Sequence, residues 1–207
     1  MSVYKHGIST KRKATALTTP LTSAANVTVV IGTAPVNMAK DPYHAANVPF
    51  AAYSKPDAVA KMGWSEDFKK YTIMQSIYAS FNVFAVAPLI MINVLDPNNE
   101  NHVTAVASKD YIVANKKALI PEEGILLDTI EITNEDASKA LQADVDYVAS
   151  FADDGTVIIG FTDAGAEKAG DSIKALYTKL NPDGVTYQDI IGGYNVSART
   201  KKGAEVI

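Results

Sequence analysis

Two strongly β-type runs constrain the fold of this chain more than any other feature. Residues 27–31 (VTVVI) are β-branched almost throughout and end at Gly32, and residues 89–95 (LIMINVL) form the second run. Runs of this kind, without polar alternation, are typical of strands that a covered sheet buries on both faces. We therefore expect both runs to lie in one α/β layer.

The segment between the two runs begins with a short strand and a brief helix. Residues 50–53 (FAAY) favour a strand. Ser54 then offers an N-cap hydroxyl, Pro56 suits the first helical turn, and Asp57 favours the positive end of the helix dipole. This pattern predicts a helix through Met62.

A longer helix is predicted to follow from Ser65. As N-cap, Ser65 precedes two acidic residues, Glu66 and Asp67, that suit the first turn. The apolar residues after it share one helical face: Phe68, Tyr71, Met74, Tyr78 and Phe81. The order strand, helix, helix, strand indicates a right-handed α/β crossover.

The pattern changes at residues 96–101 (DPNNEN), where we place a domain boundary. Shorter strand-like segments then recur at residues 124–132, 147–151, 156–161 and 173–180. The second and third of these flank Asp153, Asp154 and Gly155, which is a typical hairpin turn. Residues 102–184 are therefore predicted to form a small antiparallel β-sandwich, after which a helix from about Val185 returns to the first domain.

The composition excludes several classes of function. Hydrophobic residues make up 47% of the 207 residues, the formal net charge is -4, and there is no cysteine. A real core is therefore expected, without disulfides, thiolate metal sites or cysteine nucleophiles. The one dense basic cluster, residues 11–13 (KRK), is interpreted as a solvated stretch, so neither nucleic acid nor a membrane is an expected partner.

Candidate chemical sites are each explained better by structure than by catalysis. Gly32 follows a strand but lacks the further glycines and the Lys-Ser or Lys-Thr pair of a phosphate loop. The histidines, His6, His44 and His102, stand far apart and are interpreted as loop or surface residues. Asp144 and Asp146 have no glutamate that would complete an EF-hand. We expect no catalytic residue, no cofactor and no metal.

The N-terminal residues 1–25 have a different character from the rest. They contain Gly7, Pro20 and many Ser and Thr residues, and their apolar residues are too scattered for a helical face or a core strand. This indicates an extended arm. No apolar stretch follows its basic residues, so a secretion signal is not expected, and synthesis in the bacterial cytoplasm is.

Four stretches together resemble the tail sheath proteins of contractile phages and phage-tail-like bacteriocins, in the form found among prophages of low-GC Gram-positive bacteria. They are residues 4–8 (YKHGI), 29–37 (VVIGTAPVN), 71–81 (YTIMQSIYASF) leading into 87–97 (APLIMINVLDP), and 181–194 (NPDGVTYQDIIGGY). They occur in this order, with the predicted hairpin between the last two, and the resemblance covers nearly the whole chain.

The resemblance implies an α+β / α/β fold: a partial α/β sheath core, an inserted antiparallel β-sandwich domain and an extended N-terminal arm. The implied boundaries are 1–25 for the arm, 26–97 for the core, 98–186 for the insertion and 187–207 for the return to the core, with the family's C-terminal half absent.

The family also implies partners: further copies in hexameric rings, an inner tail tube protein and a baseplate. Arm residues Tyr4, Gly7, Ile8 and Leu17 would then contact neighbouring subunits by strand addition, in a virion tail or tail-like particle.

Two other functions stay open at this point. A surface-binding or adhesion module would use the β-sandwich for recognition, and an exposed aromatic-rich loop would favour it. An enzyme would require a pocket with convergent ionisable residues.

Overall fold

The two β-type runs pair with each other as parallel strands in the computed structural model, which describes residues 27–192. The first part of the fold contains β1 (Thr28–Gly32), β2 (Phe50–Ala52), α1 (Lys55–Met62), α2 (Thr72–Ile77) and β3 (Leu89–Asn93). The strand order is β1-β3-β2, and β2 runs antiparallel to β3. The predicted parallel pairing across a helical connection is confirmed.

The burial of β1 differs from the prediction. β3 is the central strand and is almost entirely buried, whereas β1 lies at the edge, and its first two residues, Thr28 and Val29, are exposed. The expectation that residues 27–31 are buried on both faces is therefore wrong. A β-branched run reports strand preference, but it does not distinguish a central strand from an edge strand.

The first helix begins and ends where its caps predict. The Ser54 hydroxyl accepts a hydrogen bond from the N–H of Asp57 at 3.3 Å, Pro56 lies in the first turn, and Gly63 ends the helix at φ 74°. The second helix begins at Thr72 and not at Ser65, and it continues as a π-helical turn, Tyr78–Val83.

The second part of the fold is an antiparallel sheet. Its strands are β4 (Val103–Ala114), β5 (Lys117–Ile120), β6 (Glu131–Asn134), β7 (Ala140–Leu141), β8 (Tyr147–Phe151), β9 (Val157–Phe161) and β10 (Ser172–Leu180). They form one sheet in the order β7-β6-β10-β4-β5-β9-β8. The antiparallel pairing and the β8–β9 hairpin are confirmed, and the sandwich arrangement of these strands stays a prediction.

The pairing of β4 with β5, which joins the two halves of this sheet, covers only two residue pairs. Both halves of the sheet contribute to one apolar cluster. The helix α3 (Asp163–Ala169) packs against β6, β7 and β9, and a short helix, α4 (Tyr187–Ile191), follows β10 in sequence. In the predicted strand at 124–132, only the end is a strand, because a 3₁₀ turn, Leu127–Thr129, precedes β6.

Two apolar clusters divide the described residues, and they share a border. The first is built mainly from residues 34–95, and the second from residues 118–177. Leu126 and Leu180 belong to the first cluster although they lie in the second half of the chain. The fold as a whole is mixed α+β, with mostly antiparallel pairing.

Candidate interaction surface

The predicted contact arm lies outside the described residues. Its members, Tyr4, Gly7, Ile8 and Leu17, all precede residue 27. Their contacts with other subunits therefore stay a prediction. The structure does describe the strand that follows this segment in sequence, β1, and the surface around its beginning.

β1 is a candidate surface for strand addition. Within residues 27–192 its strand partner is β3 alone, so one side of its backbone has no strand beside it there. Val27 and Val29 are 43% and 48% exposed. An edge strand presents a row of N–H and C=O groups that a further extended segment can pair with.

An apolar ledge lies near the beginning of β1 and β3. It consists of four large side chains that are 44–70% exposed: Tyr78, Val83, Phe84 and Val86. The register pairs Thr28 with Leu89, so the loop that leads into β3 lies beside the point where the chain enters β1. Sequence reasoning missed the ledge, although the apolar residues directly before Pro88, which ends any helix, were a signal.

Backbone hydrogen bonds hold the ledge in place. The N–H of Phe84 donates to the carbonyl of Ala79 at 2.9 Å, and the N–H of Val86 donates to the carbonyl of Ser80 at 2.8 Å. The apolar side chains are thus presented by an internally bonded turn. Binding to such a preformed surface costs less ordering entropy than binding to a loose loop.

The opposite end of the sheet is closed by a buried asparagine. The Asn93 side chain accepts hydrogen bonds from the N–H of Ala34 at 3.0 Å and of Leu95 at 3.1 Å, and it donates to the carbonyl of Leu95 at 2.7 Å. In open α/β sheets, ligands bind at this carboxyl end of the strands. Here these backbone groups have a protein partner instead.

Thr72 closes the space next to Gly32. The N–H of Thr33 donates to the Thr72 hydroxyl, and the N–H of Thr72 donates to the Thr33 hydroxyl, both at 3.1 Å. A Cβ atom on Gly32 would collide with the same Thr72 oxygen. The glycine is therefore needed for close approach of the helix start.

His102 is buried at the border between the two clusters, so its interpretation as a loop or surface residue is wrong. It is 2% exposed, and its Nδ1 accepts a hydrogen bond from the N–H of Asp96 at 3.1 Å. Its Nε2 lies 3.5 Å from Oδ2 of Asp189. This contact between His102 and Asp189 connects α4 to the border between the two apolar clusters.

Asp189 also caps α4. Its carboxylate accepts hydrogen bonds from the N–H of Thr186 at 2.8 Å and from the Thr186 hydroxyl at 2.7 Å. Burial alone would raise the pKa of Asp189, but these hydrogen bonds and the neighbouring His102 hold it below its ordinary value. The predicted helix after Val185 is confirmed, and Val185 itself packs against the first cluster.

The remaining candidate carboxylates have structural partners. Asp146 is buried and pairs with Lys168 at 2.7 Å, and this hydrogen bond holds the pKa of Asp146 below its ordinary value. Asp154 accepts hydrogen bonds from the N–H and the hydroxyl of Thr156 beside Gly155, which has φ 83°. The prediction that this pair forms a hairpin turn is confirmed.

Glu122 links two neighbouring strands by ion pairs. Its two carboxylate oxygens accept hydrogen bonds from Lys109 on β4 and from Lys179 on β10. Burial opposes ionisation of Glu122, but the hydrogen bonds from these lysines and from Tyr177 outweigh it and lower the pKa to about 2. The ionised Glu122 carboxylate therefore stabilises the pairing of β4 with β10.

Within residues 27–192, no group of three or more His, Cys, Asp or Glu side chains is arranged to hold a metal ion. In the same range, no helix has the length and apolar character needed to cross a membrane. His44, as predicted, is exposed and contacts Asp41 at 2.9 Å.

No protein-family model matches this sequence, and no curated protein matches it.

Proposed function

We propose that this chain is the N-terminal portion of a contractile tail sheath subunit. Such subunits polymerise as stacked hexameric rings around an inner tail tube, attach to a baseplate, and contract to drive the tube through a cell envelope. The chain would be made in the bacterial cytoplasm and assembled into a phage tail or a prophage-encoded bacteriocin particle. Catalysis, nucleic-acid binding and membrane anchoring have no part in this proposal.

The observation that carries the proposal is the edge strand β1 beside the N-terminal segment. The four stretches that resemble sheath proteins include β1 itself and the segment around Ile8. Strand addition joins subunits through main-chain hydrogen bonds, and it needs an open edge on one copy and an extended segment on another. β1 offers the edge.

A second observation supports a structural role. The carboxyl end of the parallel strands, the usual ligand position in α/β folds, is closed by Asn93 and Thr72. Side chains that satisfy backbone groups in this way stabilise the fold and are not free to bind substrate. Contraction itself would be a rigid-body rearrangement of linked subunits.

The alternative function, a surface-binding or adhesion module, would use the antiparallel sheet. The large apolar side chains that are strongly exposed on this sheet are aliphatic: Ile112, Leu119, Val148 and Leu176. Aromatic side chains are the usual anchors of such recognition surfaces.

Negative-stain microscopy of the complete gene product tests the proposal. We expect tubes of sheath-like width that are built from stacked rings. A variant without residues 1–14 serves as the control, and it should stay folded by circular dichroism without forming tubes. If the folded complete product forms no tubes over a range of concentrations and salts, the sheath proposal is wrong.

A further inference from the structure

We infer that the apolar ledge, Tyr78, Val83, Phe84 and Val86, receives apolar side chains from residues 1–26 of a second copy of this chain. The inference rests on the proposed function in that both require copies to associate. It goes further because it names a receiving surface next to the strand edge, which main-chain pairing by itself does not need.

The ledge has the properties of a covered surface. Phe84 is 70% exposed and Val83 is 57% exposed, and both belong to an internally bonded turn. Single exposed apolar side chains are common in proteins, whereas several large ones on one ordered turn mark an interaction site. Exposure of this turn to water therefore costs free energy that a bound apolar segment would recover.

The position and length of the N-terminal segment make it the occupant. Residue 26 precedes Val27 and Thr28, and Thr28 pairs with Leu89 at the end of the loop that carries the ledge. Fully extended, 26 residues reach about 85 Å. A body of the size of residues 27–192 has a radius of gyration of only about 15 Å. A segment of this length is therefore long enough to reach the ledge of a neighbouring copy.

Charge favours contact between residues 1–26 of one copy and residues 27–192 of another over contact between the 27–192 regions of two copies. Residues 1–26 contain 4 Lys and Arg and no Asp or Glu, whereas residues 27–192 contain 12 Lys and Arg and 22 Asp and Glu. Two bodies repel each other, but a basic segment is attracted to an acidic body. Two copies that meet through their ledges alone would have to overcome that repulsion.

The segment carries suitable side chains for this surface. Tyr4, Ile8 and Leu17 are among its larger apolar residues. When an extended segment pairs with a strand edge, alternate side chains point to the same face and can enter neighbouring apolar pockets. Main-chain pairing would then provide affinity along β1, and the ledge would select the register.

Photo-crosslinking with mixed isotopes tests the inference in the full chain. A benzoylphenylalanine replaces Phe84 in unlabelled protein, which is mixed with ¹⁵N-labelled wild-type protein and irradiated. We expect crosslinks from position 84 to labelled residues 1–26. The same photoreactive residue at Ile112, which is 80% exposed on the antiparallel sheet, is the control and should not yield them.

Affinity provides the second readout. Sedimentation velocity of Phe84→Gln should show self-association weakened about tenfold, because the substitution replaces an aromatic side chain that the bound segment would cover. Ile112→Gln, an equally drastic change at an exposed position, should associate like wild type. Added salt should weaken the association of wild type and of Ile112→Gln, since both keep the ledge and the opposite charges.

Three results would overturn the inference: crosslinks within one copy, crosslinks to residues 27–192 of the second copy, or none. If tubes form in microscopy while any of these is observed, the ledge assignment fails and the sheath proposal stands. If the crosslinks to labelled residues 1–26 are found but no tubes form, the sheath proposal fails and the ledge assignment stands.

Discussion

At the scale of single residues, Asn93 has the largest role in closing the first sheet. It is fully buried at the end of the central strand β3, and its side chain makes three hydrogen bonds to backbone groups of Ala34 and Leu95. An apolar side chain of similar size would leave those groups buried without partners. Each such loss costs about 1–3 kcal/mol.

The first prediction follows from these bonds. Asn93→Leu should lower the free energy of unfolding by about 3 kcal/mol, measured by urea denaturation monitored with circular dichroism. Asn82→Leu is the matched control, because Asn82 is exposed at the end of the π-helical turn. It should change stability by less than about 0.5 kcal/mol. Equal stability of the two variants would contradict the role given to Asn93.

Glu122 predicts a dependence of stability on pH. Its folded-state pKa of about 2 lies below the ordinary value of 4.5, so folding favours the ionised carboxylate. The stabilisation from Glu122 is therefore complete above about pH 4.5 and is lost as the pH falls toward 2. Because Lys109 is half exposed, we expect only about 1 kcal/mol at pH 7.

The measurement compares Glu122→Gln with wild type in urea at pH 7 and at pH 3. Glu122→Gln should be less stable at pH 7, and the difference should shrink at pH 3 because this carboxyl group is then protonated in unfolded wild type, which stabilises the unfolded state. Glu123→Gln, at the neighbouring position outside these ion pairs, is the control and should follow wild type at both pH values. A constant deficit of Glu122→Gln across this range would refute the assignment.

At the scale of secondary-structure elements, the sequence predicts strands well where β-type residues dominate and poorly where they do not. β1, β3, the β8–β9 hairpin and β10 all follow from local pattern. β4 (Val103–Ala114), the longest strand, was missed because half of its 12 residues are Ala, Ser, Lys or Asp, which have low strand preference, and its apolar residues do not alternate strictly. Long pairing with β10 over most of its length overrides that weak propensity.

The late start of α2 has a different physical cause. The Ser65 hydroxyl accepts a hydrogen bond from the N–H of Asp67 at 3.1 Å, but Asp67 in turn accepts from the N–H groups of Lys69 and Lys70. These local bonds satisfy the backbone in a turn instead of a helix. Ser65 and Asp67, which suit a helix start, therefore form a polar turn here, and the helix begins only at Thr72.

The candidate site was predictable only in part, for similar reasons. Arm residues such as Ile8 were chosen by resemblance and lie outside the described residues, whereas the open edge of β1 depends on sheet order, which local pattern does not encode. Burial of His102 depends on contacts with Asp96 and Asp189, the latter distant in sequence. Both features arise from tertiary pairing.

The third prediction concerns the N-terminal segment as an element. Ile8→Pro should block polymer formation, because proline removes a backbone donor from the exchanged strand, while Ile8→Val should be nearly silent because β preference is kept. The assay is sedimentation of the complete product, with circular dichroism to confirm equal folding. Normal polymers from both Ile8→Pro and a deletion of residues 1–14 would rule out linkage through this segment.

At the scale of the whole molecule, the two apolar clusters raise the question of how independent the two parts of the fold are. The sequence pattern favours residues 102–184 as a dispensable insertion. The first cluster nevertheless includes Leu126 and Leu180 from that range, and both are almost completely buried. Removing a buried leucine side chain costs about 2–5 kcal/mol, so deletion of the entire range should leave a seriously weakened core.

The register indicates a better place to cut. Val103 of β4 and Leu180 of β10 are direct antiparallel partners, so their backbones are only about 5 Å apart. An Asn-Gly turn joining the two residues in place of residues 104–179 would keep Leu180 in the first cluster and would not stretch the chain. Leu126 would then be the main apolar side chain removed from the first cluster.

The fourth prediction compares this deletion with the cruder one. Deleting residues 104–179 with an Asn-Gly turn should leave a protein that unfolds cooperatively in urea, with stability reduced mainly by the removal of Leu126, about 2–5 kcal/mol. Deleting residues 102–184 removes Leu180 and His102 as well, and this variant should be less stable still. If the smaller deletion unfolds without a cooperative transition, the first part of the fold depends on the antiparallel sheet, and the sheet is not an insertion. If instead both deletions are equally stable, Leu180 contributes nothing to the first core, and the border between the clusters lies elsewhere.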